Sequence, residues 1–259
     1  MINEKDTKGN RRRSQIFEAM KREGEISIDE IMRRFGCSEA TARRDLNMLA
    51  ETGKIIRTLG GAYFERASSL EVPFQDKKSV LLSEKLAIAA KAVSLIEEGD
   101  VIGLTGGSTT FLIAKEIKHL NNITVVTNAV NIAMELAESD TVQTVLTGGV
   151  LRGKSYELCG PLAEGVLAKL NIGKMFAGID GINLEQGLMT YSELEAHIGR
   201  LMIERSKQAV AVFDHTKVNR TSLFTMAPLS SVQACITDKK LEPAWESHLQ
   251  ALRIEMHYT

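Results

Sequence analysis

The sequence predicts two domains of different class: a small helical head that ends in a short hairpin, then a larger α/β body built on a mostly parallel sheet. Three observations predict this. Helical spacings of apolar residues fill residues 10–50 and then give way to two short apolar runs about a Gly-Gly pair. From Val101 to Thr237 strand-like and helix-like segments alternate with short connections, the pattern of a parallel sheet with crossover helices. Charge is also uneven: through Arg66 there are 14 Lys and Arg against 11 Asp and Glu, and beyond it 18 against 22. A mildly basic head on an acidic body suits a local contact with nucleic acid rather than blanket binding.

Residues 1–9 are polar and read as frayed. Asn10 to Glu23 reads as a helix with Ile16, Phe17 and Met20 on its apolar face, ended by Gly24. Ile28, Ile31 and Met32 mark a second helix from about Ser27 to Phe35, and Gly36-Cys37 turns into a third. Ser38 is its N-cap, since the hydroxyl accepts from an otherwise unpaired backbone N–H. Ala42, Leu46, Leu49 and Ala50 recur at helical spacing and form one buried stripe. Ala40, Thr41, Arg44 and Asn47 fall roughly opposite, with Arg43 on the flank. Such a face enters a DNA major groove and offers an arginine to guanine or phosphate.

A surface helix with two arginines is commonplace, and most such charges are only solvated. The neighbourhood favours the sharper reading. Two helices joined by a tight turn make a helix-turn-helix. Lys54 to Thr58 and Leu59 to Phe64 read as two short strands around Gly60-Gly61, a wing with basic residues.

Glu65 to Gln75 reads as a linker. Asp76 to Glu97 follows as a helix, with Lys77, Lys78 and Lys85 on its polar side and Leu82, Leu86, Ala89, Ala90 and Val93 on its apolar side. Strands are expected at Val101–Leu104, Ile123–Thr127, Val142–Leu146, Lys174–Ile179 and Gln208–Phe213, with further candidates at Leu223–Met226 and Ala234–Thr237. Helices are expected at Phe111–His119, Val130–Ala137, Pro161–Leu170 and Ser192–Ser206. The resulting division is a winged helix-turn-helix domain over residues 1–66, a linker and helix start over 67–82, and a body over 83–259.

In such sheets ligands bind beyond the carboxyl ends of the strands, and polar clusters stand there. Gly106, Gly107, Ser108, Thr109 and Thr110 join the first body strand to its helix. Glycines let backbone N–H groups approach an anion, and the hydroxyls and helix dipole add to the attraction. The same residues serve equally well as a tight turn with helix caps. No Lys follows at Walker spacing. Thr127-Asn128, Thr147-Gly148-Gly149, Asp180-Gly181 and Asp214 to Lys217 end four more strands. Each alone is ordinary turn chemistry; five together are harder to dismiss. Glu195 either faces a ligand or only favours a helix first turn. Lys217 either neutralises a phosphate or is a solvated loop lysine.

Composition excludes other classes. Cys37, Cys159 and Cys235 are odd in number and far apart, which supports reduced structural thiols and no disulfide framework or zinc ribbon. The five histidines lack metal-ligand spacing. No apolar run is long enough for a bilayer and no signal-peptide core opens the chain, so a cytoplasmic protein without membrane contact is expected.

Arg11 to Tyr63 resembles the N-terminal domain of DeoR-family bacterial transcription regulators. The matching residues are Arg12-Arg13, Gly24, Ile28, Ser38 to Leu46, Gly53, Ile56-Arg57 and Gly60-Gly61-Ala62; Ala42 stands where the family more often has a larger apolar residue. Ser83 to Thr237 resembles the family's effector domain, itself similar to ribose-5-phosphate isomerase. That match rests on Gly106 to Thr110, Thr127 to Ala129, Thr147 to Gly149, Phe176 to Gly181 and Asp214 to Lys217. Thr105-Gly106 stands where the family more often has Asp or Asn and then Gly or Ala.

The resemblance implies a ligand-controlled repressor of a sugar-utilisation operon. The expected DNA-contacting residues are Arg12, Arg13, Ser38, Glu39, Ala40, Thr41, Arg43, Arg44, Asn47, Arg57, Gly60 and Gly61. The expected effector is a phosphorylated sugar, its phosphate held by Gly106 to Thr110, with Thr127, Asn128, Gly148, Gly149, Asp180, Gly181, Glu195 and Lys217 around it. The expected partners are operator DNA and further copies of the chain, as a dimer or tetramer. No cofactor, metal or catalytic residue is expected. In the isomerases the Asp-Gly after the fourth strand continues into Ala-Asp-Glu. Here Ile182-Asn183-Leu184 follows, so no base remains at that location, although Glu185 and Glu193 are near. The competing readings are a sugar-phosphate isomerase with an accessory DNA-binding domain, and a body that only oligomerises.

Overall fold

The computed structural model describes residues 8–23, 25–52, 55–58, 60–64 and 71–259. The frayed start, the Gly24 helix stop, Lys54, Leu59 and residues 65–70 of the linker fall outside the described residues. The chain divides into two compact units between Val80 and Leu81.

The first unit contains α1 (Lys8–Glu23), β1 (Glu25–Ser27), α2 (Ile28–Phe35), α3 (Glu39–Ala50), β2 (Ile55–Arg57), β3 (Gly61–Phe64) and a single turn α4 (Phe74–Lys77). Gly36 ends α2 in the left-handed conformation, returning its N–H to the Met32 carbonyl at 3.0 Å. Ser38 caps α3, its hydroxyl accepting from the Thr41 N–H at 3.3 Å. Ala42 and Leu46 are fully buried against Ile16, Met20 and Ile31, as the helical spacing requires. The wing has a third strand that periodicity does not reveal. β1 pairs with β3, and β3 with β2, all antiparallel.

The second unit starts with α5 (Leu82–Val93), β4 (Val101–Leu104), α6 (Ser108–Ile117), β5 (Ile123–Thr127), α7 (Val130–Leu136) and β6 (Val142–Leu146). Next come β7 (Val150–Arg152), β8 (Glu157–Cys159), α8 (Pro161–Leu167), β9 (Ile172–Gly178), β10 (Gly181–Asn183), β11 (Gly187–Thr190) and α9 (Glu193–Glu204). The chain closes with β12 (Ser206–Val212), β13 (Phe224–Ala227), β14 (Ala234–Thr237), α10 (Pro243–Ala251) and β15 (Glu255–Tyr258). The main sheet has the order β15-β14-β12-β9-β4-β5-β6 and every pairing in it is parallel. Both faces are covered, so its strands alternate between two cores. Phe176, Val210 and Val212 join α5, α6 and α7 on one face; Met175, Ala177, Ala209 and Ala211 join α8, α9 and α10 on the other. The candidate strand at Leu223 belongs elsewhere: β13 completes a small antiparallel sheet of order β10-β11-β13.

The helix expected over Asp76 to Glu97 is a correction. Two helices occupy that span, separated at Leu81, whose φ is 50°. The phase of the second also differs. Lys85, Ile88, Ala89 and Ala92 are its buried residues, while Leu82 and Leu86 are exposed.

Candidate functional site

The buried stripe of α3 leaves Ala40, Arg43, Arg44 and Asn47 exposed, with Thr41 half-buried. Arg44 has no ion pair or hydrogen bond among the described residues, so its charge faces outward unanswered. Arg43 is held by Glu39 one turn back, at 2.8 and 2.7 Å, in an exposed pair. Arg57, on the wing strand β2, is half-buried with one guanidinium nitrogen fully enclosed and unpartnered among the described residues. Burial first, and then the nearby Arg43, push its pKa down. An anion between Arg43 and Arg57 relieves both effects.

Arg12 and Arg13, expected at DNA phosphates, are half-buried and paired with a carboxylate of the head. Asp45 is buried within α3, and Arg12 Nε reaches it at 2.5 Å and Arg13 at 3.2 Å. The bond to Asp45 raises the Arg12 pKa further. A buried carboxylate needs such counter-charges, so these arginines hold the head together. Gly61 is likewise a packing residue: a Cβ there would lie 2.2 Å from the Ile26 carbonyl of β1. Gly60 is exposed.

The body gathers its polar groups where the parallel strands end. Thr105 follows β4, and its hydroxyl accepts from the Gly178 N–H of the neighbouring β9 at 2.9 Å. Gly107 caps α6 with φ 131°, and Thr110 closes that turn by donating to the Gly107 carbonyl at 3.0 Å. Ser108 and Thr109 are only 8% and 7% exposed, yet neither hydroxyl has a partner among the described residues. Their hydroxyl oxygens are not enclosed: they open to solvent at a helix N-terminus, where an anion can take the place of water.

Three expected effector residues serve the scaffold. The Thr127 hydroxyl donates to the Leu104 carbonyl at 2.8 Å and accepts from the Ala129 N–H at 3.1 Å. Gly149 and Gly181 are close-approach positions, where a Cβ would meet the carbonyls of Cys159 at 2.6 Å and Arg220 at 2.4 Å. Gly148 stands in the same turn between β6 and β7. Asn128 donates to the Leu158 carbonyl at 3.4 Å and leaves its side-chain oxygen buried without a partner among the described residues.

Glu195 is buried on α9, accepting from Arg152 Nε at 3.0 Å and from the Thr190 hydroxyl at 3.3 Å. That hydroxyl also lies 3.1 Å from the Asp180 carboxylate. Glu157, which the sequence reading passed over, completes the group. It is 6% exposed and presses on the backbone of Gly106, where a Cβ would fall 2.3 Å from its carboxyl oxygen. Burial, then the Glu195 charge and hydrogen bond, and also Asp180, raise its pKa well above the ordinary range against the opposing Gly106 N–H. On the other flank Asp214 is buried beyond β12. Burial alone would raise its carboxyl, but Lys217, Lys85 and the Thr216 bonds outweigh that and hold it low. His215 is fixed by Asp238 at 2.6 Å.

Glu157, Arg152, Thr190 and Lys85 are thus the residues missed. Lys85 carried a signal, because it stands three, four and seven residues before Ile88, Ala89 and Ala92. β7 and β8 have three residues each, too few for any period.

All three cysteines are free thiols, and no helix among the described residues is long and apolar enough to cross a membrane. The DeoR-like helix-turn-helix domain model matches residues 12–67, and the DeoR C-terminal sensor domain model matches residues 81–239. The chain is similar to a putative aga operon transcriptional repressor of Escherichia coli O157:H7, 33% identical over 88% of this chain and 86% of that protein. It is similar to the glycerol-3-phosphate regulon repressor of Escherichia coli K12, 32% identical over 89% and 91%. It is also similar to the L-fucose operon activator of Haemophilus influenzae, 34% identical over 87% and 90%. Among solved structures it is similar to ribose 5-phosphate isomerase A of Methanocaldococcus jannaschii, with TM-score 0.39 and 19% identity over 52% and 53%. With a DNA-reading head and a sensor body both matched, the chain belongs to the DeoR family of transcriptional regulators.

Proposed function

We propose that this regulator is a cytoplasmic repressor of a sugar-utilisation operon, released from its operator by a phosphorylated sugar. The observation that carries the effector assignment is the placement of Ser108 and Thr109 in the first turn of α6, beyond the end of β4 and after Gly106-Gly107. A phosphate monoester offers acceptors to both hydroxyls, and the helix dipole favours its charge. Lys217 follows β12 and Asp180 follows its neighbour β9; the lysine offers the phosphate a counter-charge and the carboxylates of Asp180 and Glu195 offer the sugar hydroxyls acceptors. No cofactor or metal enters this scheme.

In the head, Arg44 and Asn47 read base edges from the exposed face of α3, with Ser38, Ala40 and Thr41 at its entry. Arg43, Arg57 and Gly60 lie against the backbone. One head makes too few contacts for a specific operator, so the protein acts as a homo-oligomer assembled through the body. Effector releases DNA only by binding the DNA-incompetent arrangement more tightly.

A thermal-shift screen of the full chain tests the assignment. Sugar phosphates should raise Tm where the same sugars without phosphate do not, and one of them should lower operator affinity. Equal effects of both sets would defeat it. The isomerase reading gains support from the carboxyl cluster of Glu157, Glu195 and Asp180, since a base is what that chemistry needs. Glu185 and Glu193, the acids nearest the lost motif, are exposed. Turnover of sugar phosphates at enzymatic rates by the purified protein would establish that reading instead.

A further inference from the structure

We infer that the outer face of α5 is the surface through which two copies of this chain pair, helix against helix and antiparallel about a two-fold axis. The inference rests on the homo-oligomer proposed above and names its interface.

The helix is apolar on both sides. Its inner side, Ile88, Ala89 and Ala92, packs with α6 and the main sheet. Its outer side carries Leu82, Leu86, Ala87 and Ala90, all exposed, and Val93, half-buried at the edge. Ser83 and the C-cap Ser94 are the polar residues among them. At 100° per residue no charged side chain falls within that outer arc. Glu84 and Lys91 stand together on one flank, both half-buried, and Lys85 is buried on the inner side. A helix with one face in water carries its charge there; one that is apolar all round is covered all round.

The charges identify the cover, because the face is complementary to itself. In an antiparallel pair about a two-fold axis, like flanks meet and chain direction reverses. With the axis between residues 87 and 88, Glu84 of each copy stands beside the partner's Lys91. On the opposite flank Leu82 stands beside the partner's Val93. At the centre Leu86 lies across from the partner's Ala87 and Ala90, whose short side chains leave room for it. One register therefore satisfies the charged flank, the apolar flank and the middle together. A parallel pair sets the charged flank of each copy against the apolar flank of the other and satisfies neither. Both charges are available: Glu84 accepts from the Ser83 hydroxyl at 2.7 Å, and neither it nor Lys91 has an ion pair among the described residues. A two-fold axis is also what paired operator half-sites require.

Sedimentation of the full chain gives the dimer dissociation constant, and Trp245 emission checks that the body stays folded. Leu86→Glu puts a charge at the middle of the pair and should weaken association at least about tenfold. Ala87→Cys should join two copies by a disulfide under a mild oxidant, because its two Cα atoms then stand about 6 Å apart. Ser94→Cys, exposed on the same face, should not, because its two copies stand about 20 Å apart. If Leu86→Glu associates as strongly as the wild type and Ala87→Cys traps no pair, the oligomer is built through another face; the inference falls and the homo-oligomer stands. A wild-type chain that stays monomeric removes both. A disulfide from Ala87→Cys to Cys37 of the same chain means that the chain's own head covers α5, and overturns the inference as well. Should Leu86→Glu fail to fold, Glu84→Lys and Lys91→Glu decide. Each alone should weaken association by roughly threefold or more, and the double variant should restore it. A double variant no stronger than the two losses combined overturns the register and the inference with it.

Discussion

The head and the body treat buried charge in opposite ways. In the head, Asp45 is enclosed by α3 and met by two guanidiniums, so its charge is balanced on the spot. Arg44 and Asn47 face outward, and one enclosed guanidinium nitrogen of Arg57 is left without a partner among the described residues. In the body, Glu157 and Glu195 are buried carboxyls, Glu195 meeting Arg152 and Thr190, and burial with the Glu195 and Asp180 charges raises the Glu157 pKa. Asn128, in the same strand-end region, keeps one side-chain oxygen buried without a partner among the described residues. A polar interior that is closed off holds a fold together. One that is left unbalanced is held ready for something to arrive. The difference is why the proposed contacts lie on the surface of the head and at the strand ends of the body.

The comparison breaks most sharply at Asp45. Asp45→Ala leaves two inward guanidiniums without their anion and should cost about 3–5 kcal/mol, as breaking a buried pair does. The single tryptophan, Trp245, is buried in the body, so its fluorescence reports that domain alone. Helical CD and operator binding should be lost at denaturant concentrations where Trp245 emission is unchanged. If both transitions move together, the two domains are not energetically distinct and the contrast fails.

On the body side, replacing Ser108 and Thr109 by Ala should weaken a bound sugar phosphate by roughly 3 kcal/mol, since hydrogen bonds to a charged group are lost. Operator binding without effector should be retained, because neither residue belongs to the head. Derepression by sugar phosphate at wild-type concentrations would place the anion elsewhere. Arg44→Ala acts on the outer face of the head and should weaken specific operator binding by about 1–3 kcal/mol and relax one base preference. A uniform loss across all sequences, with a smaller salt slope, would make Arg44 a phosphate contact instead.

The same contrast explains what the sequence disclosed. Regular elements were legible because their periods are: β4, β5, β6 and β14 have the bounds that their apolar runs predict, and Ser38 caps α3. The strand-end clusters were legible as a group, because a parallel sheet collects the ends of distant strands on one edge. The inward charges were not. Arg12 and Arg13 look like free cations until the fold brings Asp45, thirty-odd residues away, beside them. Lys85 lies in the buried stripe of α5, but the leucines at 82 and 86 suggested another phase. Glu157 occupies a three-residue strand, and Glu195, whose charge helps raise its pKa, belongs to a helix after three intervening strands. Pairings between distant segments leave no local pattern to read.

The finest test of the contrast is the one ion pair on the reading face itself. Glu39 and Arg43 are one helical turn apart and exposed, so the pair contributes only about 0.3–0.5 kcal/mol to the head. Glu39 also stands in the first turn of α3, where its charge adds a few tenths of a kcal/mol through the helix dipole. Glu39→Gln should therefore lower head stability by well under about 1 kcal/mol, unlike Asp45→Ala. It also releases Arg43, beside Arg57 and its enclosed guanidinium nitrogen. Removing an anion next to two cations strengthens attraction to DNA phosphates, so operator affinity should rise modestly at low salt and the gain should vanish at high salt. A salt-independent loss of affinity would mean that Glu39 itself accepts from a base. The reading face would then be balanced in the complex by its own carboxylate, and the outward surplus of charge would not be what grips DNA.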